Sequence, residues 1–296
     1  MFIRIEFARK REMMFTSHLD TLRTFGRALR RAAIPVRYST GFNPRAQLVF
    51  GLPLQVGMVG LAEYLDVELA SDAMPDEMLN GLNARLPNGL IAGHNERLFN
   101  DLMNGLNAQL PAGLVVTDAR VRRVNENIMS QITHAEYTMR IAFGNDREAS
   151  GAYSGLRDGE ELRDGKELGD EDELRTALRE AVELFKLPGA RMAEKTARKP
   201  PDGRRGKKNG IKSVDIAPFI IKIEAHGDVL EVIARAGSSD NVRPELLLDA
   251  LNNLYRSSPI SEGRPEKFII VSSYRKALYI ERGGVLYKPI ESAVCG

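Results

Sequence analysis

Apolar residues recur along this chain in one order of periods, and that order occurs twice. In the first half Ile3, Ile5 and Phe7 alternate with Arg4 and Glu6, the period-two pattern of a half-buried strand. Leu19, Leu22, Phe25, Leu29 and Ala33 follow at helical spacing. Ser17 stands ahead of them as an N-cap, with Asp20 in a capping-box position, and Pro35 lies past the end, where a helix cannot easily continue. Gly41 to Pro44 reads as a turn and Leu48 to Leu52 as a short strand, and Leu65, Val67 and Leu69 alternate in another. A helix over 75–86 and a strand near 114–121 complete a β-α-β-β-α-β order.

The second half repeats it. Tyr137, Met139, Ile141 and Phe143 alternate, and Leu174, Leu178, Ala181, Val182 and Phe185 share a helix face. Strands are expected at Ile216 to Glu224 and Val229 to Arg235, joined by a tight turn at His226-Gly227-Asp228. A helix runs from Pro244, a favoured first position, to Tyr255. Strands at Lys267 to Ser272 and Ala277 to Glu281 close the series. The expected fold is α+β: two ferredoxin-like (βαββαβ) sandwiches in tandem, with domains at 1–125 and 133–296.

Three segments stand outside this scheme. Leu79 to Leu90 and Met103 to Leu114 are near copies, each with Asn-Gly-Leu-Asn-Ala, Leu-Pro and Gly-Leu. They read as a local duplication that adds a helix near 79–114. Gly144 to Glu173 is acidic, with Leu156, Leu162, Leu168 and Leu174 at a spacing that is neither helical nor extended, and reads as a disordered surface insertion. Arg191 to Lys212 holds nine Lys or Arg against two acids and reads as a mobile basic loop.

Composition narrows the function. The length of 296 residues suits two domains, and no apolar run approaches the roughly 18–20 residues of a membrane span, so no membrane partner is expected. The start alternates apolar and charged residues, unlike a signal or transit peptide. The single cysteine, Cys295, excludes an intramolecular disulfide and cysteine-rich zinc or iron–sulfur sites, and points to the cytoplasm. None of the four histidines pairs with another at helix-turn spacing, so no metal site is expected.

Ser17, His18 and Asp20 invite a triad reading, but three groups in one helical turn cannot easily make the linear relay a triad needs. A helix N-cap is the plainer account. Anion binding at the helix N-terminus is a third reading, with His18 joining in. Arg23, Arg27, Arg30 and Arg31 form a stripe opposite the Leu/Phe face, with Asp20 the one acid nearby. Such a stripe is either a solvated face or a phosphate grip. The turn Tyr38, Ser39, Gly41, Phe42, Asn43 and Arg45 offers rings and hydrogen-bonding groups together, as a recognition loop does. Arg204, Arg205, Lys207 and Lys208 belong to the basic loop, and Lys212 and Asp215 lie around the start of the strand after it, where an exposed ion pair is the plainer reading. Tyr274, Arg275, Lys276 and Tyr279 interleave basic and aromatic groups, which suits single-stranded RNA or a guarded sheet edge. No phosphate loop, dinucleotide fingerprint, nucleophile elbow or metalloprotease motif is present in the sequence.

These residues also resemble a known family. Ser17-His18-Leu19-Asp20, then Arg27-Ala28-Leu29-Arg30-Arg31-Ala32, Tyr38-Ser39, Gly41-Phe42-Asn43-Pro44, Pro53-Leu54, Gly57, Glu63-Tyr64 and Lys212-Ser213-Val214-Asp215-Ile216-Ala217-Pro218 resemble the radical SAM-associated (radical SAM-linked) protein family. This bacterial domain of unknown function is found alone or fused behind cobalamin-binding radical SAM proteins. The likeness covers most of the chain. Thr40 replaces the family's common Gln, and Arg45-Ala46 replaces the His or Pro that often follows Asn-Pro. The resemblance implies an accessory or substrate-presenting protein for a radical SAM enzyme, with RNA as a candidate substrate. The partner would carry S-adenosylmethionine, an iron–sulfur cluster and cobalamin, and this chain no cofactor. One cysteine cannot supply the three that a radical SAM cluster needs. The alternatives are a stand-alone RNA-binding protein and a phosphate-substrate enzyme using His18 and Asp20.

Overall fold

A computed structural model describes residues 2–70, 93–122, 127–144, 171–187, 192–196, 211–237, 240–261 and 267–291. The fold is mixed α+β, with a nine-stranded mixed sheet in the order β4-β1-β3-β10-β5-β9-β8, to which β2 adds beside β3 and β11 beside β10. The chain divides into two compact units, residues 1–135 with 274–296, and residues 136–273.

The first unit contains β1 (Phe2–Arg9), α1 (His18–Arg31), β2 (Leu48–Phe50), β3 (Val59–Glu68), α2 (Gly93–Asn107), β4 (Leu114–Arg122) and the short α3 (Ile128–Gln131). Its first four strands lie in the order β4-β1-β3-β2, every pair antiparallel. The alternation in β1 buries Ile3, Ile5 and Phe7 against Phe25, Ala28 and Leu29 of α1. Three aromatic rings lock this contact: Phe7 meets Phe25 edge-on at 4.8 Å and Phe50 at 5.8 Å.

Helix α1 begins where the sequence predicts. Ser17 accepts a hydrogen bond from the backbone N–H of Asp20 and donates its own hydroxyl to the Asp20 carboxylate at 2.7 Å. Its other end is a Schellman turn: Ile34 N–H reaches Leu29 O and Ala33 N–H reaches Arg30 O. Ala33 takes the left-handed position there, φ 56°, which glycine would occupy at less cost.

The duplicated sequence does not add a whole helix in its second copy. Met103 to Asn107 close α2, Ala108 to Gly113 form the turn, and Leu114 opens β4. Pro111 and Gly113, whose φ is 89°, shape the turn that leads from the helix into β4. The first copy, and the helix expected over 75–86, lie outside the described residues.

The second unit holds most of β5 (His134–Gly144), then α4 (Glu171–Lys186), β6 (Met192–Thr196), β7 (Ile211–Asp215), β8 (Ile220–His226), β9 (Val229–Arg235), α5 (Pro244–Arg256) and the first part of β10 (Lys267–Arg282). The order β10-β5-β9-β8 follows the same sequence-to-space pattern as the first unit. Phe143, Tyr255 and Phe268 cluster in its core, with Phe143 and Phe268 stacked at 5.6 Å and Tyr255 tilted against both. The buried Asn252 bonds both backbone groups of Phe268, accepting from its N–H at 2.7 Å and donating to its carbonyl at 3.0 Å.

Several expectations are corrected. The residues at the two ends of the expected basic loop are paired strands: β6 and β7 form an antiparallel ladder with Lys195 opposite Lys212. Residues 171–173 of the expected acidic insertion are the first turn of α4, where carboxylates face the positive helix end. Ala217–Phe219 is a 3-10 turn rather than strand, because Pro218 cannot join a ladder. The two strands expected over 267–281 are one strand of 16 residues, β10, followed by β11 (Val285–Tyr287). Among the described residues no helix is long and apolar enough to cross a membrane.

Candidate functional site

Three buried arginines organise the first unit, and each answers a different electrostatic problem. Arg4 faces Asp66 across the β1–β3 ladder and makes a two-pronged ion pair, both contacts 2.7 Å. Arg275 on β10 makes a similar fork to Glu63 on β3 and also donates to Leu52 O at 2.7 Å. Arg9, at the end of β1, has no carboxylate of its own. Its guanidinium donates to the carbonyls of Thr16, Gln55 and Met58, stapling the segment before α1 to the one before β3. Gly57 N–H, bonded to Met14 O, reinforces that junction.

A small pocket lies beside Arg9. Phe7 and Phe50 line one part, His18 and Thr21 of α1 another, and Glu63 a third. The His18 ring stands edge-on to Phe50 at 5.2 Å. Burial, helped by the Arg9 charge, lowers the His18 pKa below its ordinary value and so favours the neutral imidazole. Burial also lowers the pKa of Arg9; nearby Glu63 opposes this and Arg275 adds to it. At the far side of β1, Tyr64 donates to Glu6 at 2.6 Å, and burial with that carboxylate pushes the phenol well above its usual range.

The structure separates the three triad candidates. Ser17 and Asp20 bond to each other as a helix cap, and Asp20 also holds Arg23 at 2.9 Å. The Ser17 hydroxyl first, then Arg23, keeps the exposed Asp20 carboxyl below the usual range. Among the described residues His18 hydrogen-bonds to neither.

The arginine stripe lies on the exposed face of α1, and two of its members are engaged. Arg23 is paired with Asp20, and Arg31 donates to Gln109 on the segment after α2. A carboxylate three residues back and a carboxamide brought in by folding satisfy these two. Arg27 and Arg30 are exposed without a side-chain hydrogen bond or ion pair among the described residues. In the turn, Tyr38 bridges Ala46 and Ser39 accepts from Arg45 N–H at 3.0 Å. Gly41 has φ 131°, and Phe42, Asn43 and Arg45 are exposed, Phe42 wholly so. Asp215 caps the 3-10 turn by accepting from Ala217 N–H. Arg204, Arg205, Lys207 and Lys208 lie outside the described residues, and of Lys212 only the backbone pairing is described. Arg275, read from sequence as a surface base, is buried at 2% exposure in its pair with Glu63.

Sequence reasoning missed the Arg9–Glu63–Arg275 cluster, because its members are distant in sequence and charged residues in strands read as outward-facing. It also missed Glu224, His226 and Glu231 on the β8–β9 hairpin, whose ligand atoms lie within 4.8 Å of one another. There Lys222 already pairs with Glu224 at 2.9 Å, and that hydrogen bond lowers the glutamate's pKa and raises the lysine's. The arrangement is that of a solvated ion-pair cluster.

No curated protein matches the sequence. Among solved structures, a chain of "Crystal Structure of a Cbf5-Nop10-Gar1 Complex" aligns with 78% of this chain at 8% identity and a TM-score of 0.27. This chain spans 40% of that one's length. A family profile matches residues 3–97 and 93–244, a span that holds the α1 cap, the exposed turn, Arg9 and Glu63. The chain therefore belongs to the family of uncharacterized proteins conserved in bacteria (DUF2344).

Proposed function

We propose that this chain is a cytoplasmic accessory protein that binds single-stranded RNA and presents it to a radical SAM enzyme, on a scaffold of two ferredoxin-like halves. The observation that carries the RNA reading is the outer face of α1. Arg27 and Arg30 stand there exposed and without side-chain partners among the described residues, with Arg23 beside them. Unpaired guanidinium groups suit a phosphate backbone. The turn of the same unit exposes Phe42 and Tyr38, rings on which unpaired bases stack. The strand orders β4-β1-β3-β2 and β10-β5-β9-β8 support the scaffold reading. The radical SAM partnership rests on the sequence resemblance.

The test is fluorescence anisotropy of a labelled single-stranded oligoribonucleotide across a salt series. Binding should weaken steeply with salt, and changing Arg27 and Arg30 to Gln should reduce the slope by about 0.7 per lost phosphate contact. Phe42→Ala should weaken binding by about 1–3 kcal/mol with little change in slope. Absence of binding at low salt, or variants that bind like the parent, would refute the RNA reading. An anaerobic pull-down with and without nuclease tests the partnership. A radical SAM protein retained after nuclease supports it; RNA alone, lost with nuclease, leaves a stand-alone RNA binder.

A further inference from the structure

β8 ends the sheet. It pairs with β9 on one side, and among the described residues no backbone bonds to its other side. The register with β9 fixes which groups are left over. A two-residue turn, Gly227 and Asp228, joins the strands, so the flanking pair His226 and Val229 exchanges hydrogen bonds. The alternation of an antiparallel ladder then makes Glu224–Glu231 a bonded pair, and Ile223–Val232 and Ala225–Leu230 non-bonded ones. The N–H and C=O of Ile223 and Ala225 therefore point away from β9, along the open edge. Such an edge is a template for another strand, and proteins commonly guard it with a lysine or a bulge. β8 carries both: Lys222, and a bulge between Ile220 and Lys222. The guard is incomplete, because Glu224 stands two positions on, on the same face, and holds Lys222 at 2.9 Å.

We propose that the β8 edge joins two copies of this chain, antiparallel, about a two-fold axis at Ile223. On that axis Ile223 meets Ile223 of the second copy as a bonded pair, using the groups that β9 leaves over. Lys222 then faces Glu224 of the second copy, and Glu224 faces its Lys222. Both are non-bonded pairs, where side chains stand closest. The ion pair within each strand survives, so four charges of alternating sign close a ring around the axis. Ile221, 56% exposed, falls opposite Ala225 of the second copy and gains cover. Neighbouring registers are poorer. An axis at Glu224 sets glutamate against glutamate, and one at Ala225 runs Ile223 past the strand end against Gly227. The interface lies on the second unit and does not rest on the RNA reading.

The experiment is sedimentation equilibrium of the full chain, with reductant to keep Cys295 from linking copies. One short edge is a small interface, so the mass should rise from monomer toward dimer with concentration, below about 1 mM. Lys222→Glu and Glu224→Lys are surface changes that spare the core. Each should weaken the dimer about tenfold, since like charges then face each other twice. An equimolar mixture of the two variants should recover the parent's association, because each supplies the charge that the other lacks. Hydrogen exchange at the Ile223 amide should slow as the parent's concentration rises. A monomer throughout that range, a dimer indifferent to both variants, or a mixture no tighter than its components would overturn the proposal.

Discussion

Glu63→Gln isolates the cost of the buried charge cluster. The substitution keeps the shape of the side chain and removes its charge. Arg275, 2% exposed, would then keep one acceptor in place of a two-pronged carboxylate, and Arg9 would lose the anion that offsets its burial. Breaking a buried pair by removing one partner costs about 3–5 kcal/mol. For a unit of this size that lowers the thermal midpoint by about 6–20 °C. The double variant Glu63→Leu with Arg275→Met removes both charges of the pair, and an apolar replacement of a buried pair is often neutral. Here the recovery should be incomplete, because Glu63 also serves Arg9, which remains. Calorimetry of the parent, Glu63→Leu, Arg275→Met and the double gives the coupling directly. A loss under about 1 kcal/mol for Glu63→Gln would show the pair to be solvated. A double variant as damaged as the sum of its singles would refute the desolvation argument itself.

Other outcomes follow from single contacts. Ser17→Ala removes the α1 cap and should cost about 1 kcal/mol in urea unfolding. Because Asp20 has its folded pKa below the ordinary carboxylate value, its contribution is full above that ordinary value and is lost as pH falls through the folded one. Ser17→Ala should move the Asp20 carboxyl titration, followed by NMR, back upward. Ala33→Gly should raise stability by about 0.5–1 kcal/mol, since the residue sits at φ 56°; a loss would show that the left-handed position carries little strain. Gly60→Ala would place a Cβ 2.6 Å from Glu63 Oε1 and 2.8 Å from Leu54 Cδ2, and should destabilise by about 1–3 kcal/mol. Asn252→Leu would leave two buried backbone groups of Phe268 unpaired and should cost at least about 2 kcal/mol in thermal unfolding.

The elements legible in the sequence are those whose cause is local. The α1 cap, its apolar stripe and the hairpin turn at Gly227, φ 66°, each depend on neighbours within a few positions. What escaped reading depends on partners far along the chain. Arg4 reads as the outward half of an alternating strand, yet it is fully buried, because Asp66 lies directly opposite in the ladder. β10 reads as two strands because Ser272, Ser273 and Arg275 interrupt its apolar pattern. Those three are buried too, and Arg275 is met by a carboxylate 212 positions away. The candidate site followed the same rule. The exposed arginines and the turn were legible; the pocket built by Arg9 and Glu63 was not.

Arg275 and Glu63 also set an order of events during synthesis. The second unit is one continuous stretch, 136–273, whereas the first needs residues from both sides of it. A ribosome adding about 5–20 residues per second makes Arg275 roughly 10–40 s after Glu63. Through that interval the carboxylate has Arg9 nearby but not the guanidinium that forks onto both of its oxygens, and the strand that will carry that partner does not exist. The unit that begins second is thus complete first, and the opening unit stays unfinished until β10 is made.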